Sequence, residues 1–399
     1  MTMLPDSSIE SAPSHRAARP YFLARPFWLV LTAQTLFGLG WSAYLLLPKF
    51  LATELGANAQ TIGYVSAVGG FAAVVTIPFV TSSIDRVAKR VLFQAGCVLL
   101  VLLSLGYLAV GSLGPLLFVL QACSGAAFVL SFNASVTLVT DAAPPSRLGQ
   151  AIGMLGAANM ATNAIATLVA EHLSQSSGWP IVFELAALMG VLALASSFWV
   201  REQPLAPVSS ATGPAAAPRP RGPVIVVLAV SALLAAPFSA MFTFHQPYAL
   251  GLGATDLAAF FAGFTAAAVT VRVLFGTLGD RFGYRRVSMI AAGGYAAVTL
   301  ATAWLQVDSL WMYGTAFGFA HGVLYPTLNA LAVELAPARA RGRVITLFNG
   351  AFNAGYGVST LLWGLVAARY GYPTLFVSAS LVGFGALLLL ALQRVRRGQ

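Results

Sequence analysis

Twelve predominantly apolar runs, each close to the length of a bilayer-spanning helix, constrain this chain more than any other feature. They fall at residues 27–47, 60–80, 91–110, 114–139, 150–172 and 180–200, and again at 224–248, 257–275, 288–305, 310–335, 344–369 and 374–393. Crossing the hydrocarbon core takes about 20 apolar residues in helical form. A soluble globule is excluded, because only 9% of the 399 residues are charged and 58% are hydrophobic, against about 25% charged in soluble domains. The apolar runs lack any G-X-Y period, so the chain is neither disordered nor collagen-like. Cys97 and Cys123 both lie inside apolar runs, which rules out a disulfide framework. The Pro-, Ala- and Ser-rich segment 201–223 reads as a flexible linker. The expected organisation is a tail at 1–26, a six-helix bundle at 27–200, that linker, a second six-helix bundle at 224–393, and a short tail at 394–399.

The net charge of +10 comes from arginines and lysines grouped at the ends of alternate runs. Nineteen of the 22 basic residues fall on the side that carries both termini. Only Lys49 and Arg369 fall on the other side, and Arg272 sits within the eighth run. Basic loops stay in the cytoplasm, so both termini are expected there, with the lipid bilayer as surroundings. A nucleic-acid binder gathers its charge on one face, so no such partner is expected. The polar start of the chain lacks an apolar core ahead of a cleavage site and reads as a tail, not a signal peptide.

The halves repeat one another. Ser83-Ile84-Asp85-Arg86 matches Leu278-Gly279-Asp280-Arg281 at an offset of 195, and Asp141-Ala-Ala-Pro144 with Gly149 matches Glu334-Leu-Ala-Pro337 with Gly342 at 193. After the eighth run the chain reads Gly276-Thr-Leu278-Gly-Asp280-Arg281-Phe-Gly283-Tyr-Arg285-Arg286. This resembles the GxLxDRxGxRR loop signature of the major facilitator superfamily, and with the duplication the resemblance covers nearly the whole chain. It implies an all-α membrane protein of 12 transmembrane helices in two pseudo-symmetric six-helix bundles, of the bacterial efflux type, in the cytoplasmic (inner) membrane. It also implies a loop that latches the halves while the cytoplasmic side is closed. Asp85, Arg86, Gly276, Asp280, Arg281, Gly283, Arg285 and Arg286 carry that role, and Asp141 and Glu334 are expected as gate elements beside them. The first-half copy departs from the pattern, with Thr81 and Ala88 in place of glycines and Ser83 in place of the leucine. The fifth run lacks the proline and the paired glycines of the drug-antiporter signature. Its Gly149, Gly153 and Gly156 predict close helix packing.

Polar groups inside a bilayer are costly, and each is a functional candidate. Asn349, Asn353 and Tyr356 share one helix face of the eleventh run, and His321, Tyr325 and Asn329 share one of the tenth. Asn159 and Asn163 share a face of the fifth. Gln34 lies in the first run, Gln121 and Asn133 in the fourth, and His245 with Gln246 in the seventh. The family places its central cavity among such runs, so Gln34, Gln121, Asn133, Asn159, Asn163, His245, Gln246, His321, Tyr325, Asn353 and Tyr356 are the expected substrate-cavity residues. Arg272 is close enough to the basic interface to snorkel or to pair with an acid. Glu184 and the Glu171-His172 pair are expected at the outer ends of their runs, in contact with water. His321 titrates in the right range for a proton switch, and it and Arg272 are the proton-coupling candidates.

These readings predict a secondary active transporter that moves a small organic solute by alternating access. Proton-coupled efflux of a drug-like compound or metabolite is the first expectation; uptake of a sugar or organic acid, or a non-transporting sensor, are the alternatives. The four histidines are scattered and no nucleophile motif is present, so no enzyme activity, metal or cofactor is expected. The expected partners are a small-molecule substrate and protons, and the expected state is a monomer.

Overall fold

Without water to satisfy backbone groups, an apolar chain in a membrane closes its hydrogen bonds within helices. The computed structural model describes residues 25–83, 86–143, 147–200, 202, 222–276 and 278–393. Asp85, both tails and nearly all of the linker lie outside them. The first half holds α1 (Pro26–Thr53), α2 (Ala59–Ser83), α3 (Lys89–Leu108), α4 (Pro115–Ala142), α5 (Leu148–Ser176) and α6 (Trp179–Ser197). The second holds α7 (Gly222–Gly251), α8 (Ala258–Phe275), α9 (Tyr284–Trp304), α10 (Leu310–Glu334), and α11 and α12 at 341–370 and 372–392. A single turn of helix, Leu278–Phe282, sits between α8 and α9. No strand occurs among the described residues.

The structure extends the internal repeat. Gly371 (φ 84°, ψ 165°) separates α11 from α12, and Gly178 (φ 85°, ψ 174°) separates α5 from α6. An aromatic residue and a proline follow each, Trp179-Pro180 and Tyr372-Pro373, with the proline in the first turn where it lacks only an orphan donor. The loop motif shows why its two copies differ. Gly283 has φ 86°, whereas Ala88 in the matching place has φ −54°, so only the second copy needs glycine there.

Two helices outrun their apolar segments. α1 passes through a 3-10 turn at Ala43–Leu46 and restarts at Pro48 to end at Thr53, not near residue 47. α5 continues to Ser176, not 172. The extra turns of α1 carry Lys49, Glu171 lies within α5, and both residues are buried.

Small residues set the packing distances. A Cβ added to Gly314 would lie 2.1 Å from the Phe260 carbonyl oxygen, and one on Gly318 2.2 Å from that of Phe264, so α10 lies directly on α8. The halves meet through α2 against α11 and α5 against α8. At Gly63 a Cβ would stand 2.8 Å from Gly364 Cα, and at Gly70 3.0 Å from Gly357 Cα. All four positions lie toward the side opposite the basic loops, called here the far side. Toward the basic side the contact opens. Gly153, Gly156, Gly342 and Gly350 have nothing within 4 Å of an added Cβ, while Phe79 on α2 and Val273 on α8 are 67% and 75% exposed. The close packing predicted at Gly153 and Gly156 is therefore absent in this conformation, because their part of α5 stands off from the other half.

Candidate functional site

The second half builds an aromatic recess. Pro237 cannot donate to the helix ladder, and α7 widens into a π turn at Ala240–Phe244 directly after it, a distortion common at functional sites. Phe238 and Phe242 stack there at 4.2 Å, and the Thr243 and Tyr356 hydroxyls share a hydrogen bond of 2.9 Å. His321, 8% exposed, lies with its ring centroid 4.9 Å from Phe238, 5.6 Å from Tyr325, 5.7 Å from Phe264 and 5.9 Å from Tyr295. Ser231, Tyr295, His321, Tyr325, Phe348 and Phe352 line a narrow recess with room for about one water molecule in this conformation, and no acid is among its lining residues. Tyr325 donates to Asn349 Oδ1 at 2.6 Å, and Asn353 turns back on the Asn349 carbonyl at 2.9 Å.

The remaining expected cavity residues divide. Gln34 donates to Asn159 Oδ1 at 3.5 Å, and Asn163 accepts from Ser42 at 2.9 Å, which places all three amides between α1 and α5. Gln121 accepts from Tyr107 at 3.5 Å and abuts Gly69, among α2, α3 and α4. Asn133 is exposed and donates to Val129 O on its own helix. His245 is buried on Phe260 at 4.0 Å, between α7 and α8. Arg272 finds no acid among the described residues. Its Nη1 donates to the thioether of Met160 in the other half at 2.9 Å.

Gln246 belongs to a seal on the far side. Its Nε2 donates to Leu45 O at 2.7 Å and its Oε1 accepts from the Lys49 backbone at 3.3 Å, so α7 is tied to the end of α1. Beside it the Lys49 ammonium is paired with Glu171, the two residues being 6% and 4% exposed. Gln175 donates to Glu171 Oε1 at 3.0 Å and across the halves to Thr255 O at 2.8 Å. Lys49 and Glu171 are both buried in helices, whereas the sequence reading put Lys49 on the outer side and Glu171 at the outer end of its run with water available. A lysine directly after a proline, followed by further apolar residues at the end of the first run, was the available signal.

On the basic side, Lys89, Arg90, Tyr284 and Arg285 each bond within their own half. Lys89 donates to Asp141 at 2.5 Å, and Arg90 N to Glu202 at 2.7 Å. Tyr284 donates to Asp280, and Arg285 to the carbonyls of Leu390 and Ala391 at 3.3 and 2.8 Å, which caps the end of α12. Arg86, Arg281, Arg286 and Glu334 are exposed.

Two helical bundles sealed on one side and parted on the other, around a polar and aromatic interior, define a multi-pass membrane protein built for transport. A family model for the Major Facilitator Superfamily matches residues 30–355 and again 228–398, and the chain belongs to that superfamily. An uncharacterized MFS-type transporter of Burkholderia pseudomallei (strain 1106a) is 25% identical over 380 residues, covering 86% of this chain and 85% of the relative. Another, of Pseudomonas aeruginosa (strain LESB58), is 29% identical over 170 residues, 42% of each. Among solved structures, the nucleoside transporter NupG matches with a TM-score of 0.76 at 12% identity, over 92% of this chain and 98% of that one. A D-xylose-proton symporter matches at 0.73 and 15%, over 91% and 96%. Likeness at this identity shows the fold alone.

Proposed function

We propose that the protein is a secondary active transporter that moves a small organic solute across the cytoplasmic membrane by alternating access, in a proton-coupled efflux cycle. The observation that carries this reading is the one-sided interface, closed by glycine contacts and the Gln246 and Gln175 bonds on the far side and parted on the basic side. With the basic loops in the cytoplasm, the conformation faces inward. The substrate favoured is amphipathic and neutral to weakly charged, because the recess offers aromatic faces, hydroxyls, an amide and one imidazole, a lining suited to apolar bodies with a few polar groups. His321, Tyr325, Asn353, Tyr356, Gln34, Asn159 and Asn163 are the residues we assign to the substrate path.

The test is flux of a compound panel in proteoliposomes, with and without an imposed pH difference, in vesicles of both orientations. Efflux predicts accumulation in everted vesicles driven by an acidic lumen. Accumulation in right-side-out vesicles alone would assign uptake, and no flux for any compound would remove the transport reading.

A further inference from the structure

A buried charge pair is left unused by the reading above. Along α5, Asn159, Asn163, Thr167, Glu171 and Gln175 recur at every fourth residue, the spacing of a helix ridge. α1 meets this ridge with Gln34, Ser42 and Lys49. Gln34 bonds with Asn159, Ser42 with Asn163, and Lys49 with Glu171, while Thr167 returns its hydroxyl to Asn163 O at 2.7 Å. The seam therefore runs from the far-side seal into the basic half of the bilayer. One buried acceptor at each end has no hydrogen-bond partner, Glu171 Oε2 and Gln34 Oε1. A buried oxygen without a donor is costly and marks a place where water or a proton can arrive.

We propose that Glu171 is the proton-binding site of the transport cycle, loaded from the far side and emptied along the α1–α5 seam. The proposal rests on the alternating-access reading. Opening the far side parts Gln175 from Thr255 and Gln246 from Leu45, and water reaches the pair. A proton from that water adds to the Glu171 carboxylate, and Lys49 takes water in its place. Closing expels the water, and the Lys49 ammonium cannot stay buried without a counter-charge. The acid then gives its proton to water in the seam, which passes it to the basic-side cavity, and the ion pair re-forms. One proton crosses per cycle. The charged or titratable groups on the surrounding elements are Lys49 on α1, His172 beside the carboxylate on α5, exposed Glu184 on α6, His245 on α7, and Asp256 ahead of α8, which caps Ala258 N at 2.9 Å.

The experiment uses the full chain in lipid nanodiscs, with Cys97 and Cys123 replaced by alanine and spin labels at Ser177 and Gln306, exposed far-side positions of the two halves. Acidification should raise the ratio of open to closed far-side distances by up to about tenfold per pH unit, the limit for one linked proton. Glu171→Gln, always neutral, should keep that ratio high and independent of pH. Glu171→Asp should keep the response with a displaced midpoint. The carboxylic acid band that grows on acidification in infrared difference spectra should lose its Glu171 component in Glu171→Gln and keep it in Glu184→Gln. A wild-type protein without a pH response, a Glu171→Gln protein that keeps one, or an unmoved midpoint in Glu171→Asp would overturn the proposal. Those results leave solute flux in the panel untouched. A panel without flux, with pH-driven opening intact, would remove the transport reading and leave the proton site standing.

Discussion

Lys49 and Glu171 stand 122 positions apart and are paired because α1 extends past its apolar run to carry Lys49 alongside Glu171 near the far end of α5. A buried ion pair is a poor source of stability, but removing one partner strands the other. Lys49→Met should therefore destabilise the protein by about 3–5 kcal/mol, and Lys49→Met with Glu171→Leu should recover most of that loss. Thermal unfolding of the purified variants in detergent checks it; a double variant as unstable as the single one would show that packing, not charge, dominates there. His321 poses the complementary case. With aromatic rings on several sides, His321→Gln should weaken substrate affinity and exchange together by about tenfold, near 1.4 kcal/mol, while the concentration ratio reached under a pH difference survives. Counterflow and gradient-driven uptake measured side by side decide it. Loss of accumulation with exchange intact would move the proton from Glu171 to His321. The sequence pattern singled out His321 and Tyr325 in the tenth run, and Asn349, Asn353 and Tyr356 in the eleventh, because each set repeats at helical spacing within its own run. It missed the Lys49–Glu171 pair because that contact depends on helix ends, which periodicity locates least well.

At the scale of elements, hydropathy and the positive loops place all twelve helices. α10 is the instructive one, since its polar His321, Tyr325 and Asn329 and its three close-packed glycines dilute an apolar run that the fold still buries. What hydropathy could not show was which glycines serve the interface between halves and which face open space. Gly178 and Gly371 hold a backbone region that only glycine occupies readily, at a cost of about 1–3 kcal/mol to other residues. Gly178→Ala and Gly371→Ala should each lower stability by that amount, whereas Gly153→Ala, helical and unobstructed, should leave melting unchanged or slightly higher. Equal losses at all three positions would mean that the α5 glycines are packed in the membrane after all.

For the whole molecule, the question is whether closing one side and opening the other are a single motion. The bonds of Lys89, Arg90, Asp280 and Arg285 in the basic loops each stay within one half, and Asp280 is held by its neighbour Tyr284. If the motif latches the basic side when that side closes, Asp280→Asn should reduce flux to a small fraction of wild type without changing the melting of this conformation. Melting that falls along with flux would assign Asp280 to folding instead.

The glycine contacts offer the stricter test of rocking halves. α2 and α11 pair antiparallel, Gly63 on Gly364 and Gly70 on Gly357, and that register carried five helical turns toward the basic side sets Thr81 opposite Thr346, with Thr81 exposed and Thr346 half-buried here. Gly364→Val would place methyl groups where Ala59 O is already 2.9 Å and Gly63 Cα 3.0 Å from a Cβ, so the far side cannot close. If the halves rock as rigid bodies, this wedge at one end should bring the other end together. Thr81→Cys with Thr346→Cys, in a background lacking Cys97 and Cys123, should then form a disulfide or a short bis-maleimide bridge faster with Gly364→Val than without it. The expected increase is about tenfold, from a shift in population of about 1.4 kcal/mol. An unchanged rate, with the far side opened by the valine, would mean that the two sides move independently and that the glycine interface is a hinged gate on one side only.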